Sequence, residues 1–172
     1  MPTAKYILIL CIPDSIGSGI ERCRQELKKL SERASQLPAH LEITPEFSWN
    51  EKEEYLLVHK IKSCVQSCFS HSIELGDPYL DKINQLIAIS YKNDPQLEQC
   101  RSLFKELFTQ EKMPEPYPGF IVGKQIREQH FIKAMNRAKE MDCSLSFWGD
   151  KLSLYKEENG AEWSCRYVFD LD

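Results

Sequence analysis

Pro38-Ala39-His40-Leu41-Glu42-Ile43-Thr44-Pro45-Glu46-Phe47 places a histidine inside a strand-like alternation of polar and apolar residues, and its reading decides the fold. Period two puts His40, Glu42 and Thr44 on one face and Leu41 and Ile43 on the other. A strand that hides aliphatic residues and aligns an imidazole, a carboxylate and a hydroxyl opposite them suits a cleft wall. A half-exposed edge strand shows the same pattern.

The flanking elements follow from periodicity. Before the stretch, Lys5–Ile12 is nearly continuous in its apolarity and reads as a strand buried on both faces. Ile16, Ile20, Cys23, Leu27 and Leu30 then recur at helical spacing, predicting a helix to about Ser35. After it, Asn50 with Glu53 three residues on is an N-cap pattern for a helix to about Phe69, followed by a strand over Ser72–Gly76 and a turn at Gly76-Asp77-Pro78.

A second series repeats the first. Gln85–Tyr91 reads as a strand, Asp94-Pro95 as an N-cap with proline at the first helical position, and Leu97, Cys100, Phe104, Leu107 and Phe108 as a helix. Met113–Pro118 is a rigid approach to a strand at Gly119–Gly123, and Phe131, Ala134, Met135, Ala138 and Met141 mark another helix. Cys143–Trp148, Lys151–Lys156 and Glu162–Leu171 read as strands, the last two joined through Asn159-Gly160, a strong hairpin signal. The expected fold is α+β: two duplicated βαβαβ lobes with antiparallel sheets around a central cleft, helices outside. The expected domain is single, with lobe 1 over about 1–78 and lobe 2 over about 79–172, strands of the C-terminal part crossing between them, and the His40 and Gly119–Gly123 strands facing each other across the groove.

Composition limits the function. The chain has 172 residues, 42% hydrophobic and 28% charged, enough for one substantial core. A net charge of −4 argues against duplex DNA as a partner. The apolar run Tyr6–Pro13 is too short for a membrane span and lacks a signal-peptide pattern, so the expectation is a cytoplasmic protein with no membrane partner. Seven scattered cysteines without a C-x-x-C pair fit reduced thiols. Cys64, Cys68 and His71 come closest to a metal set, but both cysteines continue the apolar series of their helix. Neither a metal nor a cofactor is expected.

The opening Tyr6–Asp14 segment, the His40 stretch and the closing Leu152-Ser153-Leu154-Tyr155-Lys156 with Trp163 resemble the two-histidine phosphoesterase superfamily across essentially the whole chain. That superfamily includes bacterial RNA ligase-like proteins and plant cyclic phosphodiesterases. The resemblance implies two facing lobes, each supplying His-x-Thr or His-x-Ser, one imidazole acting as base and the other as acid on a cyclic phosphate. Here the first motif is His40-Leu41-Glu42, which keeps the histidine and lacks the hydroxyl. The second belongs at Pro118–Gly123, where Gly119 or Phe120 takes the histidine position and Ile121 or Val122 the hydroxyl position.

An ionised Glu42 about 4 Å from an anionic substrate would cost roughly 1 to 4 kcal/mol. Thr44 offers a hydroxyl on the same face, and Lys124 or Arg127 offers a neutralising cation. Tyr117, Phe120 and Trp148 are candidates to stack on a base, and His59 and His71 read as solvated or capping groups. The candidate catalytic residue is therefore His40, with Glu42, Thr44, Tyr117 and Lys124 as substrate-binding candidates. Two readings of function result. One is a degenerate member that binds a nucleotide, an RNA end or a protein partner without turnover. The other is an active cyclic phosphodiesterase using His40 with non-standard partners.

Overall fold

The computed structural model describes residues 2–33, 37–108, 114–160 and 162–172. The first strand, β1 (Thr3–Cys11), is the centre of the sheet. Tyr6, Leu8 and Leu10 point into the large core beneath the helices, and Ile7 and Ile9 point the other way, against Leu37, Tyr155 and Trp163. Both faces of β1 are buried, which is why its sequence is apolar without alternation.

The helix α1 (Ser18–Lys28) buries Ile20, Cys23 and Leu27 but stops seven residues before the expected Ser35. The reason is tertiary. Ser31 bridges to Ile126, the Glu32 N–H donates to the Gln125 carbonyl and the Arg127 N–H to that of Leu30, so the chain is drawn into pairing with the second half. Residues 34–36 of the expected helix lie outside the described residues.

The stretch from Pro38 to Phe47 is two strands. β2 (His40–Glu42) pairs antiparallel with the end of β1, Cys11 opposite His40 and Ile9 opposite Glu42, and β3 (Phe47–Asn50) pairs with its beginning. Pro45, with no N–H, lies in the break between them. A 3-10 turn over Glu51–Glu53 follows, with the Asn50 side chain accepting from the Lys52 N–H, and leads into α2 (Glu54–Val65), which ends four residues before the expected Phe69.

β4 (His71–Asp81) overturns the turn expected at Gly76-Asp77-Pro78. The strand runs through, and a register shift against β5 (Leu86–Tyr91) between Leu75 and Pro78 absorbs the proline. The chain reverses at residues 82–85 instead, where the Asp81 carboxylate accepts from the Ile83 and Asn84 N–H groups. α3 (Pro95–Leu107) starts as expected, the Asp94 side chain accepting from the Leu97 N–H.

β6 (Phe120–Gly123), α4 (Phe131–Lys139), β7 (Ser146–Gly149) and the hairpin β8 (Lys151–Glu158) and β9 (Glu162–Asp170) complete the chain. Asn159 and Gly160 both take positive φ, as the hairpin required. All strands join one antiparallel sheet in the order β7-β4-β5-β6-β2-β1-β8-β9, with β3 also on β1. The α+β architecture with a duplicated order of elements is thus present. The expectation that the His40 and Gly119–Gly123 strands face each other across a groove is not met: β2 and β6 are hydrogen-bonded neighbours, His40 opposite Ile121. The cleft lies over the sheet face opposite the helices, and these two strands form part of its floor. Among the described residues no helix is long and apolar enough to cross a membrane.

Candidate functional site

The β2–β6 pairing decides which register the second motif takes. Ile121, opposite His40, belongs to the cleft face, and so does Gly119 two residues earlier. Phe120 and Val122 point into the helix-side core, where Phe120 packs edge-on against Tyr91 and Phe147. Of the two registers that the resemblance allows, the one with Gly119 and Ile121 lies on the cleft face. Neither residue can transfer a proton.

The space a side chain would take at Gly119 is occupied. A Cβ there would lie 2.5 Å from the Tyr79 hydroxyl, 3.2 Å from the Ala88 Cβ and 3.3 Å from the Ile89 carbonyl oxygen. Tyr79, on β4, reaches across Ala88 to fill this gap. Its phenol also bonds to that of Tyr117, whose hydroxyl donates to Asp81 Oδ2 at 3.0 Å. Burial, together with the Tyr79 and Asp81 contacts, raises the Tyr117 phenol well above its ordinary value, so it is a proton donor and no base at neutral pH.

His40 is only 1% exposed. Its Nδ1 lies 2.7 Å from the Pro38 carbonyl oxygen, so Nδ1 carries the proton and donates, leaving Nε2 with a lone pair. That Nε2 is the one buried side-chain nitrogen or oxygen without a partner among the described residues. His40 lines a narrow space of about 10 Å³ with Arg24, Lys28, Ser31 and Lys124, enough room for one water molecule and too small for a phosphate. Burial first, and Lys124 second, push the imidazole down to about 4, so it is neutral at pH 7.

Glu42 is buried and fully engaged. Its Oε2 accepts from the Tyr117 N–H at 3.0 Å, and its Oε1 lies 3.2 Å from Lys124 Nζ. Lys124 is thus the cation that sits against this carboxylate; Arg127 is not. Thr44 does not offer its hydroxyl to the cleft: it is 2% exposed, and its Oγ1 accepts from the Leu8 N–H at 3.1 Å, splicing β1 across the break after β2.

The open part of the cleft, about 810 Å³, is lined by Glu42, Glu46, Tyr79, Asp81, Tyr117 and Lys124 among others. Trp148, on the outermost strand β7, is not part of it. His59 is exposed on α2, whereas His71 is buried rather than solvated, held between the Phe69 carbonyl and Asp94 Oδ2 at 2.8 Å. No group of residues that would hold a metal ion is present among the described residues.

Sequence reasoning missed Tyr79, Asp81 and Arg101. The Arg101 guanidinium donates twice to the Glu42 carbonyl, at 3.0 and 2.8 Å, and once to that of Tyr117 at 2.8 Å, so α3 clamps β2 to the approach to β6. The available signal was a charge within the apolar series Leu97, Arg101, Phe104, Phe108. Tyr79 carried no signal of its own, because it followed the expected Gly76-Asp77-Pro78 turn and belonged to no expected element, whereas the structure places it in β4.

No family model matches the chain, and no curated protein sequence does. Solved structures do. Apo LigT of Escherichia coli superposes with a TM-score of 0.72 at 12% identity, covering 99% of each chain. LigT solved with 3′-AMP gives 0.71 at 12% identity, again over 99% of each chain. Usb1 of Kluyveromyces marxianus gives 0.51 at 15% identity, covering 98% of this chain and 97% of its own. The fold is that of the two-histidine phosphoesterases.

Proposed function

We propose that this protein, built on the two-histidine phosphoesterase fold, is a degenerate member that binds a nucleotide or RNA end in its cleft without the turnover of that chemistry. One observation carries the reading: the second-histidine position is Gly119, and the Tyr79 phenol stands where a side chain would project. Hydrolysis of a cyclic phosphate needs two proton-transfer groups flanking phosphorus, and loss of one costs about 100 to 10,000-fold. The surviving imidazole is buried beside a space too narrow for a phosphate.

Binding is supported by what is left. An 810 Å³ cleft is of the size that small ligands occupy. The phenols of Tyr79 and Tyr117 offer surfaces for a base, and Lys124 is the cation nearest a phosphate. LigT has been solved with phosphate, 3′-AMP, ATP and NADP+. Four carboxylates, Glu42, Glu46, Asp81 and Glu115, line the same space, so phosphate is held weakly. That acidity favours a second reading, in which a basic segment of a protein partner occupies the cleft.

The test is to incubate the protein and its His40→Ala and Tyr117→Ala variants with a 2′,3′-cyclic nucleotide and with RNA ending in a cyclic phosphate, following product and binding separately. The expected result is no product from any of the three and binding that Tyr117→Ala weakens. Turnover by the parent that His40→Ala abolishes overturns the reading and makes the protein an active phosphodiesterase. Absence of both product and binding transfers the case to the protein partner.

A further inference from the structure

Two thiols that do not line the cleft are in contact. Cys68, just past the end of α2, and Cys100, in the middle of α3, have their sulfurs 2.9 Å apart. They are 3% and 5% exposed, and α2 and α3 pack on each other at this point. A disulfide needs a sulfur separation of about 2.05 Å, so bond formation asks for less than about 1 Å of closure between side chains that already point at each other. Both are free thiols in this structure.

We propose that Cys68 and Cys100 are a redox modification site, a thiol pair that a peroxide converts reversibly into a disulfide joining α2 to α3. The Cys68 sulfur attacks one oxygen of the peroxide as its thiolate, giving a sulfenic acid and releasing the other oxygen as water or alcohol once it takes up the thiol's proton. The Cys100 sulfur then attacks the sulfenic sulfur, the S–S bond forms, and the hydroxyl leaves with the Cys100 proton as water. Two thiols have given two electrons and two hydrogens to the peroxide. Contact with Cys100 holds the Cys68 thiol below its ordinary value, and the 2.9 Å separation places the second sulfur within reach of the first. Phe69, next in the chain, is 55% exposed, so the pair lies close beneath the surface.

The bond would close a loop across the middle of the chain and fix α3 to its neighbour. Cys100 is followed by Arg101, whose guanidinium holds the Glu42 and Tyr117 carbonyls at the cleft. Oxidation therefore stiffens the helix that supports one cleft wall. This proposal is independent of what the cleft binds.

The full chain is treated with hydrogen peroxide, remaining thiols are alkylated, and the protein is digested without reductant and mapped by mass spectrometry. The expected result is two fewer alkylatable thiols than the seven of the untreated chain, with Cys68 and Cys100 in one linked peptide. The oxidised protein is expected to melt about 5–10 °C higher, and a dithiol to reverse both changes. Cys68→Ala should abolish the link and Cys64→Ala should keep it. Because the mapping is done on the unaltered chain, it stands even if a variant folds poorly. Seven alkylatable thiols after oxidation, a link between other cysteines, or a lower melting temperature of the oxidised form would overturn the proposal.

Discussion

β2 and β6 lie side by side at the middle of the sheet and occupy equivalent places in the two halves of the chain, yet they differ in what they present to the cleft. β2 keeps an imidazole but buries it, beside a space of about 10 Å³. β6 presents Ile121, with Gly119 just before it on the same face, and a phenol from β4 occupies the space beside Gly119. In the first half an imidazole is present and buried, and in the second there is none and the position is packed. Burial and filling are thus two unrelated physical arrangements at equivalent places of a duplicated scaffold, and the pairing of the strands themselves is common to both.

What holds the pair together is Arg101, and removing it should have the largest effect. Arg101→Met leaves the Glu42 and Tyr117 carbonyls without their buried donor, and we expect a loss of about 3–5 kcal/mol in urea unfolding. A loss under about 1 kcal/mol would mean the two strands hold without the clamp.

The burial of His40 should show as a pH dependence. Its folded value is lowered to about 4 from an ordinary 6.5, so the unfolded chain binds this proton first as pH falls. The stability linked to it is complete above pH 6.5 and is lost as pH drops from 6.5 towards 4, by about 3 kcal/mol. Unfolding curves at pH 7 and pH 4.5 should therefore diverge more for the parent than for His40→Gln. Equal slopes would show that the imidazole is open to solvent.

Filling of the second half is tested by returning the side chain. Gly119→His is expected to destabilise by about 1–3 kcal/mol through overpacking against Tyr79, and adding Tyr79→Ala should recover much of that loss. Additive effects of the two changes would deny that they share one space. The smallest effect is expected at the rim: Lys124→Met leaves Glu42 its Tyr117 N–H but removes its cation, for about 1 kcal/mol. No change on adding salt to the parent would agree with a pair shielded from solvent; a full loss of the Lys124 effect in salt would show that it is a surface pair.

The parts of this molecule legible in the sequence are those fixed by short-range chemistry. Asp94-Pro95 begins α3, Asn159-Gly160 turns β8 into β9, and the apolar run of β1 marks a strand covered on both faces. The misread boundaries are set by distant partners: α1 ends where residues 30–32 meet 125–127, and β4 passes through Gly76–Pro78 because β5 accommodates the shift. At the site, the sequence offered Lys124 and Arg127 equally as the cation for Glu42, and only the folded chain selects Lys124. That His40 is enclosed, that Thr44 is spent on the Leu8 N–H and that Tyr79 fills the Gly119 gap depend on where other elements come to rest.

The place of β1 in the sheet bears on how the chain reaches its folded state. Its partners on one side, β2 and β3, follow within about 50 residues, but on the other side Tyr6 pairs with Lys156. At a synthesis rate of about 5–20 residues per second, this long apolar strand emerges roughly 8–30 s before the strand that covers its open edge. Docking of the β8–β9 hairpin is a contact between the two ends of the sequence, and such contacts are slow to form. The nascent protein therefore carries a half-covered apolar strand for most of its synthesis, until β8 is available to pair with it.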